Sequence, residues 1–153
     1  MIIDERPDNP SRLDGIRVLL VDDAPLIREL LSVILEEYGA EVTAVASAYA
    51  ALEVVMRERP DVLISDLEMP ERGGYWLIGQ VRALAPESGG LTPAAALTGL
   101  NGPVHRASAL RAGFQSHLEK PVDLQTLISV VASLARSDLR PSTLPTSWSL
   151  SAR

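Results

Sequence analysis

The chain has no cysteine, which excludes a disulfide framework and any metal site built on thiolates. Basic residues are in deficit: 14 Lys and Arg stand against 20 Asp and Glu, for a net charge of −6. Such a surface repels phosphate backbones, so direct binding of nucleic acid is not expected. No apolar run approaches the ~20 residues that a membrane-spanning helix needs, and no basic start leads into an apolar signal segment. The expected partners therefore include no membrane, and the expected location is the cytoplasm. What is present is 153 residues of 46% hydrophobic composition, enough for one domain around one core.

The apolar residues fall into alternating strand-like and helix-like stretches. Residues 1–14, polar and broken by Pro7 and Pro10, read as a flexible leader. Residues 16–21 (Ile-Arg-Val-Leu-Leu-Val) show little alternation, the pattern of a strand covered on both faces. Pro25 suits a first helical turn, and Leu26, Ile27, Leu30, Leu31, Ile34 and Leu35 repeat at helical spacing up to Gly39. The cycle recurs with a strand at 41–46, then Ser47 as N-cap of a helix closed by Pro60. It continues with a strand at 62–65 and a helix at 74–85, a strand at 94–97 and a helix at 104–112, a strand at 114–118 and a helix at 124–135. Five such units with short connections imply an α/β doubly wound parallel sheet over residues 15–136, because parallel strands need crossovers and the crossovers cover both faces. From Ser137 the composition turns to Ser, Thr, Pro and Arg; 137–153 reads as a disordered tail, or as a docking segment anchored by Trp148.

Open parallel sheets bind ligands at the carboxyl ends of their strands. Those ends carry Asp22 and Asp23, then Asp66, then Thr98, then Lys120 before Pro121. Carboxylate oxygens suit a hard divalent cation, and an ammonium and a hydroxyl suit the oxygens of a phosphoryl group. Asp66 would itself be the nucleophile, ionised without help from a general base. Crowding three carboxylates should also raise the pKa of at least one. Each residue has a duller reading: Asp23 as a helix cap, Asp66 as a turn residue, Thr98 as a loop hydrogen bond, Lys120 as a solvated strand end. All four dull readings would have to hold simultaneously at four strand ends.

The set Val-Asp22-Asp23, Asp66-Leu-Glu-Met-Pro70 with Gly74, Ala-Leu97-Thr98 and Lys120-Pro121 resembles the receiver domains of two-component response regulators, over about Ile16 to Ala135. The resemblance implies a flavodoxin-like (βα)5 fold with five strands in the order 2-1-3-4-5. It implies that Asp66 accepts a phosphoryl group from a phosphohistidine, with Mg²⁺ or Mn²⁺ held by Asp23, Asp66 and the backbone carbonyl of Glu68, and by Asp22 through water. Thr98 matches the switch hydroxyl and Lys120 the lysine that pairs with the phosphoryl oxygens. Implied partners are a histidine kinase or histidine phosphotransfer protein and a downstream protein target. The output face would comprise the fourth helix, fifth strand and fifth helix, through which a homodimer is also conceivable. The stretch from Gly113 to Asp123 is similar to receivers attached to hybrid sensor kinases.

Several positions depart from the family pattern. His117 stands where the family places a Tyr or Phe that swings between exposed and buried, and adds a titratable nitrogen there. Glu68 and Leu100 flank the acceptor at positions that govern access of water. Gly73 replaces a common acid, suggesting a more pliable loop before Gly74. Tyr75 and Trp76 read as core or rim packing, and His105 as a surface helix residue. Two other classes stay open: an Mg²⁺-dependent phosphohydrolase with Asp66 as nucleophile, and a flavodoxin-like nucleotide or flavin binder. Within the first class of function, a phosphate sink or shuttle is an alternative to a switch. The switch reading makes the protein no enzyme beyond its own phosphorylation and dephosphorylation.

Overall fold

The computed structural model describes residues 12–99 and 102–136, with nothing said of the side chains of 102–105. Most of the expected leader, the expected tail with Trp148, Leu100 and the side chain of His105 lie outside these described residues.

The elements in chain order are β1 Arg17–Val21, α1 Pro25–Glu37, β2 Glu41–Val45, α2 Ala48–Glu58, β3 Val62–Asp66, α3 Gly74–Arg82, β4 Ala94–Thr98, α4 Gly102–Ala112, β5 Ser116–Glu119 and α5 Leu124–Ala135. A short 3₁₀ turn, Pro86–Ser88, separates α3 from β4. The five strands form one sheet in the order β2-β1-β3-β4-β5, and every pairing is parallel. This is the doubly wound flavodoxin-like arrangement expected from the sequence.

Strand side chains alternate in direction, so the near-continuous apolar runs of β1 and β3 feed two cores at once. Val18, Leu20, Val62, Ile64, Ala95 and Leu97 point to one face and pack under Leu31 and Leu35 of α1 and Leu127, Ile128 and Val131 of α5. Leu19, Val21, Leu63, Ala94 and Ala96 point to the other and pack under α2, α3 and α4 through Val54, Val55, Leu77, Ile78, Val81 and Ala109. Ser47 caps α2 as expected, its Oγ accepting from the Ala50 N–H at 3.2 Å.

Several boundaries differ from expectation by a residue or two, the fourth helix for instance starting at Gly102 rather than 104, and three differences have a clear physical cause. The third helix ends at Arg82 rather than 85 because Pro86 disfavours helical backbone at its predecessor, and Ala85 is accordingly extended at φ −59°, ψ 150°. The fifth strand begins at Ser116 rather than 114, since Gly113 turns at φ 128° and Phe114 folds back, its N–H bonded to the Ala109 carbonyl at 3.0 Å. Residues 12–14, expected in the leader, belong to the packed unit. Leu13 is fully buried in the α1/α5 layer, and its N–H donates to the Tyr38 carbonyl at 2.7 Å. Leu13→Ala should therefore destabilise the domain by about 2–5 kcal/mol, as a core truncation does; a midpoint in urea denaturation unchanged from the parent would show that Leu13 is a dispensable leader residue.

Candidate functional site

The strand register places the predicted residues along one edge. Val21 pairs with Ser65, Asp66 with Leu97 and Thr98 with Glu119. Asp22, Asp66, Thr98 and Lys120 therefore leave the sheet side by side, where the strands' carboxyl ends open. The carboxylate oxygens of Asp22, Asp23 and Asp66 come within 4.8 Å of one another. Lys120 Nζ lies between two of them, 3.1 Å from Asp22 Oδ2 and 3.3 Å from Asp66 Oδ2.

Asp22 is completely buried and Asp66 nearly so, its side chain retaining 9% of its exposure. Asp23 is exposed and forms the open side of the cluster. Local hydrogen bonds orient the buried acids: the Ala24 N–H donates to Asp22 Oδ1 at 2.9 Å, and the Glu68 N–H to Asp66 Oδ1 at 3.3 Å. The helix cap proposed for Asp23 is not formed. Ala24 occupies the N-cap of α1, and no side chain caps the helix.

The loop after Asp66 folds back onto it. The Gly74 N–H bonds to the Leu67 carbonyl at 3.0 Å. A Cβ on Gly74 would sit 2.5 Å from the Asp66 carbonyl oxygen, and one on Gly73 would overlap that of Leu67. These glycines permit close packing of backbone on backbone rather than simply loosening the loop.

Electrostatics sharpen the picture. Burial raises the pKa of Asp66; Lys120 opposes that rise, and Asp22 reinforces it. Burial alone would lower the pKa of Lys120, but its contacts with Asp22 and Asp66 outweigh burial, and the net shift is upward. The site is thus a positive charge held between acids that repel each other. Hard oxygen donors, one of them (Asp22 Oδ2) buried beside the Lys120 ammonium and without a hydrogen-bond donor otherwise among the described residues, are a donor set that fits Mg²⁺ or a similar divalent ion.

Thr98 ends β4 with its hydroxyl buried and without a hydrogen-bond partner among the described residues. His117 pairs with Ala96 across β4 and β5, and its Nε2 is likewise buried and unpartnered among them. Beside it Arg106, Pro121, Asp123 and Thr126 line a shallow groove of about 420 Å³ between α4, β5 and α5. Asp123 caps α5, accepting from the Thr126 N–H at 2.9 Å. One contributor escaped the sequence: Arg28 donates from α1 to the Asp22 carbonyl at 2.8 Å, bracing the strand end from behind. No spacing rule singles out an arginine in an amphipathic helix for that task.

The upward shift of Asp66 has a sign that can be tested. A carboxyl whose folded pKa exceeds its unfolded one favours the fold at low pH, and that contribution is lost as pH rises through the folded pKa. In a chelator at neutral pH, Asp66→Asn should therefore be more stable than the parent toward denaturant. The advantage should shrink as pH falls below the raised pKa; a less stable variant at pH 7 would contradict the assignment of Asp66 as the strained member.

Comparison with known proteins agrees with this geometry. Residues 18–132 match the family model of the response regulator receiver domain. The chain is 46% identical over 114 residues to an uncharacterized 14.6 kDa protein of Leptolyngbya boryana, covering 74% of this chain and 86% of that one. It is 37% identical over 123 residues to the response regulator protein FleR of Pseudomonas aeruginosa, covering 80% of this chain but only 25% of FleR. Among solved structures it superposes with TM-score 0.73 and 30% identity on the receiver domain of the sensor histidine kinase PA1611 from Pseudomonas aeruginosa, which has magnesium coordinated in its active site cleft. That match covers 80% of this chain and 99% of the other. The chain belongs to the response regulator receiver domain family.

Proposed function

We propose that this chain is a phosphorylatable signalling switch: Asp66 accepts a phosphoryl group from the phosphohistidine of a histidine kinase or phosphotransfer protein, and the modified state changes a protein-binding face. The observation that carries this reading is the Lys120 ammonium held between the buried Asp22 and Asp66 carboxylates, with Asp23 open to solvent beside them. One ammonium cannot neutralise three carboxylates, so the cluster keeps a net negative charge that a one-to-one structural ion pair does not have.

Asp23, Asp66 and the backbone carbonyl of Glu68 would hold a divalent cation, Mg²⁺ or Mn²⁺, with Asp22 one water away. When bound, the ion neutralises charge on the transferring phosphoryl group. Asp66 supplies the attacking oxygen: its O–P bond forms as the P–N bond to the donor imidazole breaks, and the electron pair leaves with the nitrogen. Lys120, already at the Asp66 carboxylate, pairs with the developing phosphoryl charge. Thr98, its hydroxyl without a hydrogen-bond partner among the described residues, turns toward the added oxygens. That movement changes the packing space of His117 on the neighbouring strand, and so the surface made by α4, β5 and α5. The groove beside His117 is where a downstream protein would register the change, or a second copy of the chain. No membrane and no nucleic acid enter this scheme. Among the described residues no helix is long and apolar enough to cross a bilayer.

Incubation with acetyl phosphate and Mg²⁺, followed by intact-mass measurement, should add one phosphoryl unit to the parent and none to Asp66→Asn. Lys120→Met should slow the addition by about 10²-fold, the usual effect of removing one charge-stabilising donor. A folded parent that gains no mass would defeat the proposal, and sustained turnover of a simple phosphate ester would favour the phosphohydrolase reading instead.

A further inference from the structure

The loop between β3 and α3 holds a second constellation that the phosphoryl-transfer chemistry does not use. Glu71 has φ +70°, and the Arg72 N–H bonds to the Pro70 carbonyl at 2.8 Å across it. A two-residue hydrogen bond around a non-glycine residue of positive φ is the tight γ-turn, a strained conformation that needs outside support. The ends of the loop are tied to β3 through the Glu68 and Gly74 amides. Its middle is tied by the Arg72 side chain. The guanidinium carbon lies 5.7 Å from the centre of the Trp76 ring, and Nε donates to the Tyr49 hydroxyl at 3.2 Å. Tyr49 and Trp76 in turn pack with ring centres 4.9 Å apart at 55°. Tyr49 is on α2 and Trp76 on α3, so the side chain of one loop residue engages both helices that flank the loop.

We propose that Arg72 is a positioning residue for the cation site: its clamp on Trp76 and Tyr49 holds the strained turn, and with it the Glu68 backbone, in place for the ion. The inference rests on the reading of Asp23, Asp66 and Glu68 as ligands. Cation–π contact and a hydrogen bond at an exposed site restrain a loop at little cost to the rest of the fold. Two glycines at the loop's end supply no side chain of their own to hold it, so the restraint has to come from elsewhere. The charge of Arg72 points the opposite way from the proposed effect. Removing a positive charge from this acidic chain should, through charge alone, favour a divalent ion at the carboxylate cluster, whereas loss of a positioning clamp should weaken its binding. The sign of the change therefore separates the two.

The test uses the full chain and Mn²⁺ alone, with the free-ion electron paramagnetic resonance signal giving the dissociation constant. Arg72→Met should weaken binding by about two- to fivefold, the scale of an exposed cation–π contact, while leaving the denaturation midpoint nearly unchanged. Arg72→Lys, which keeps the cation over the ring, should recover part of the loss, and Tyr49→Phe should show a smaller one. In a Trp76→Leu background Arg72→Met should weaken binding less than it does in the parent, because only the Tyr49 hydrogen bond is left to lose. Amide exchange at residues 69–73 should quicken in Arg72→Met without metal. Unchanged or tighter Mn²⁺ binding in Arg72→Met, while the parent binds normally, would overturn the clamp and leave the phosphoacceptor reading standing. A parent that binds no Mn²⁺ at all would remove both.

Discussion

Placing carboxylates together at the end of a hydrophobic sheet costs stability, and much of this protein's local architecture is arranged around that cost. Asp22 has no access to solvent, and Asp66 repels it at short range while both are being desolvated. A single ammonium between them is the internal counterweight. Lys120 offsets only part of the accumulated negative charge, because Asp23 adds a third acid on the open side. An arrangement that remains under-neutralised is poorly suited to being a structural brace and well suited to receiving something positive, and then something that carries negative charge in with it.

The scaffold delivers these groups through register rather than through any one specialised loop. Parallel pairing of β1, β3, β4 and β5 brings the ends of strands far apart in sequence to a common edge. Backbone contacts then set the fine placement: Arg28 on the Asp22 carbonyl, the Ala24 amide on its carboxylate, and Gly74 pressed against the main chain of Asp66. Each fixes one of the two buried acids through the main chain or an amide beside it.

What could be read from the sequence follows from how local each signal is. Asp66 and Asp22 were legible because an acid directly after a buried apolar run has few other reasons to be there, and α5 was legible at both ends, 124 and 135, from its apolar residues. Leu13 was not, since one leucine among polar residues carries no period; it is buried only because α1 and α5 come together over it. Gly73 invited a reading of looseness, when the decisive fact is a neighbouring carbonyl too close for any side chain. Arg28 and Arg72 depend on where separate elements meet in space, so nothing in their own neighbourhoods distinguishes them from solvated arginines. Residues 1–11, 100–101 and 137–153 fall outside the described residues, and Trp148 and Leu100 remain sequence expectations.

The sheet also acts as a partition. Even-numbered positions of β1 and β3 face the layer under α1 and α5, and odd-numbered ones face the layer under α2, α3 and α4. Steric consequences of a substitution in one layer are thus largely screened from the other by the sheet backbone, except at the edge where Asp22, Asp66, Thr98 and Lys120 gather. Descendants of such a chain are free to remodel one side for new company while the opposite side keeps its ancestral form, provided the shared rim is left alone.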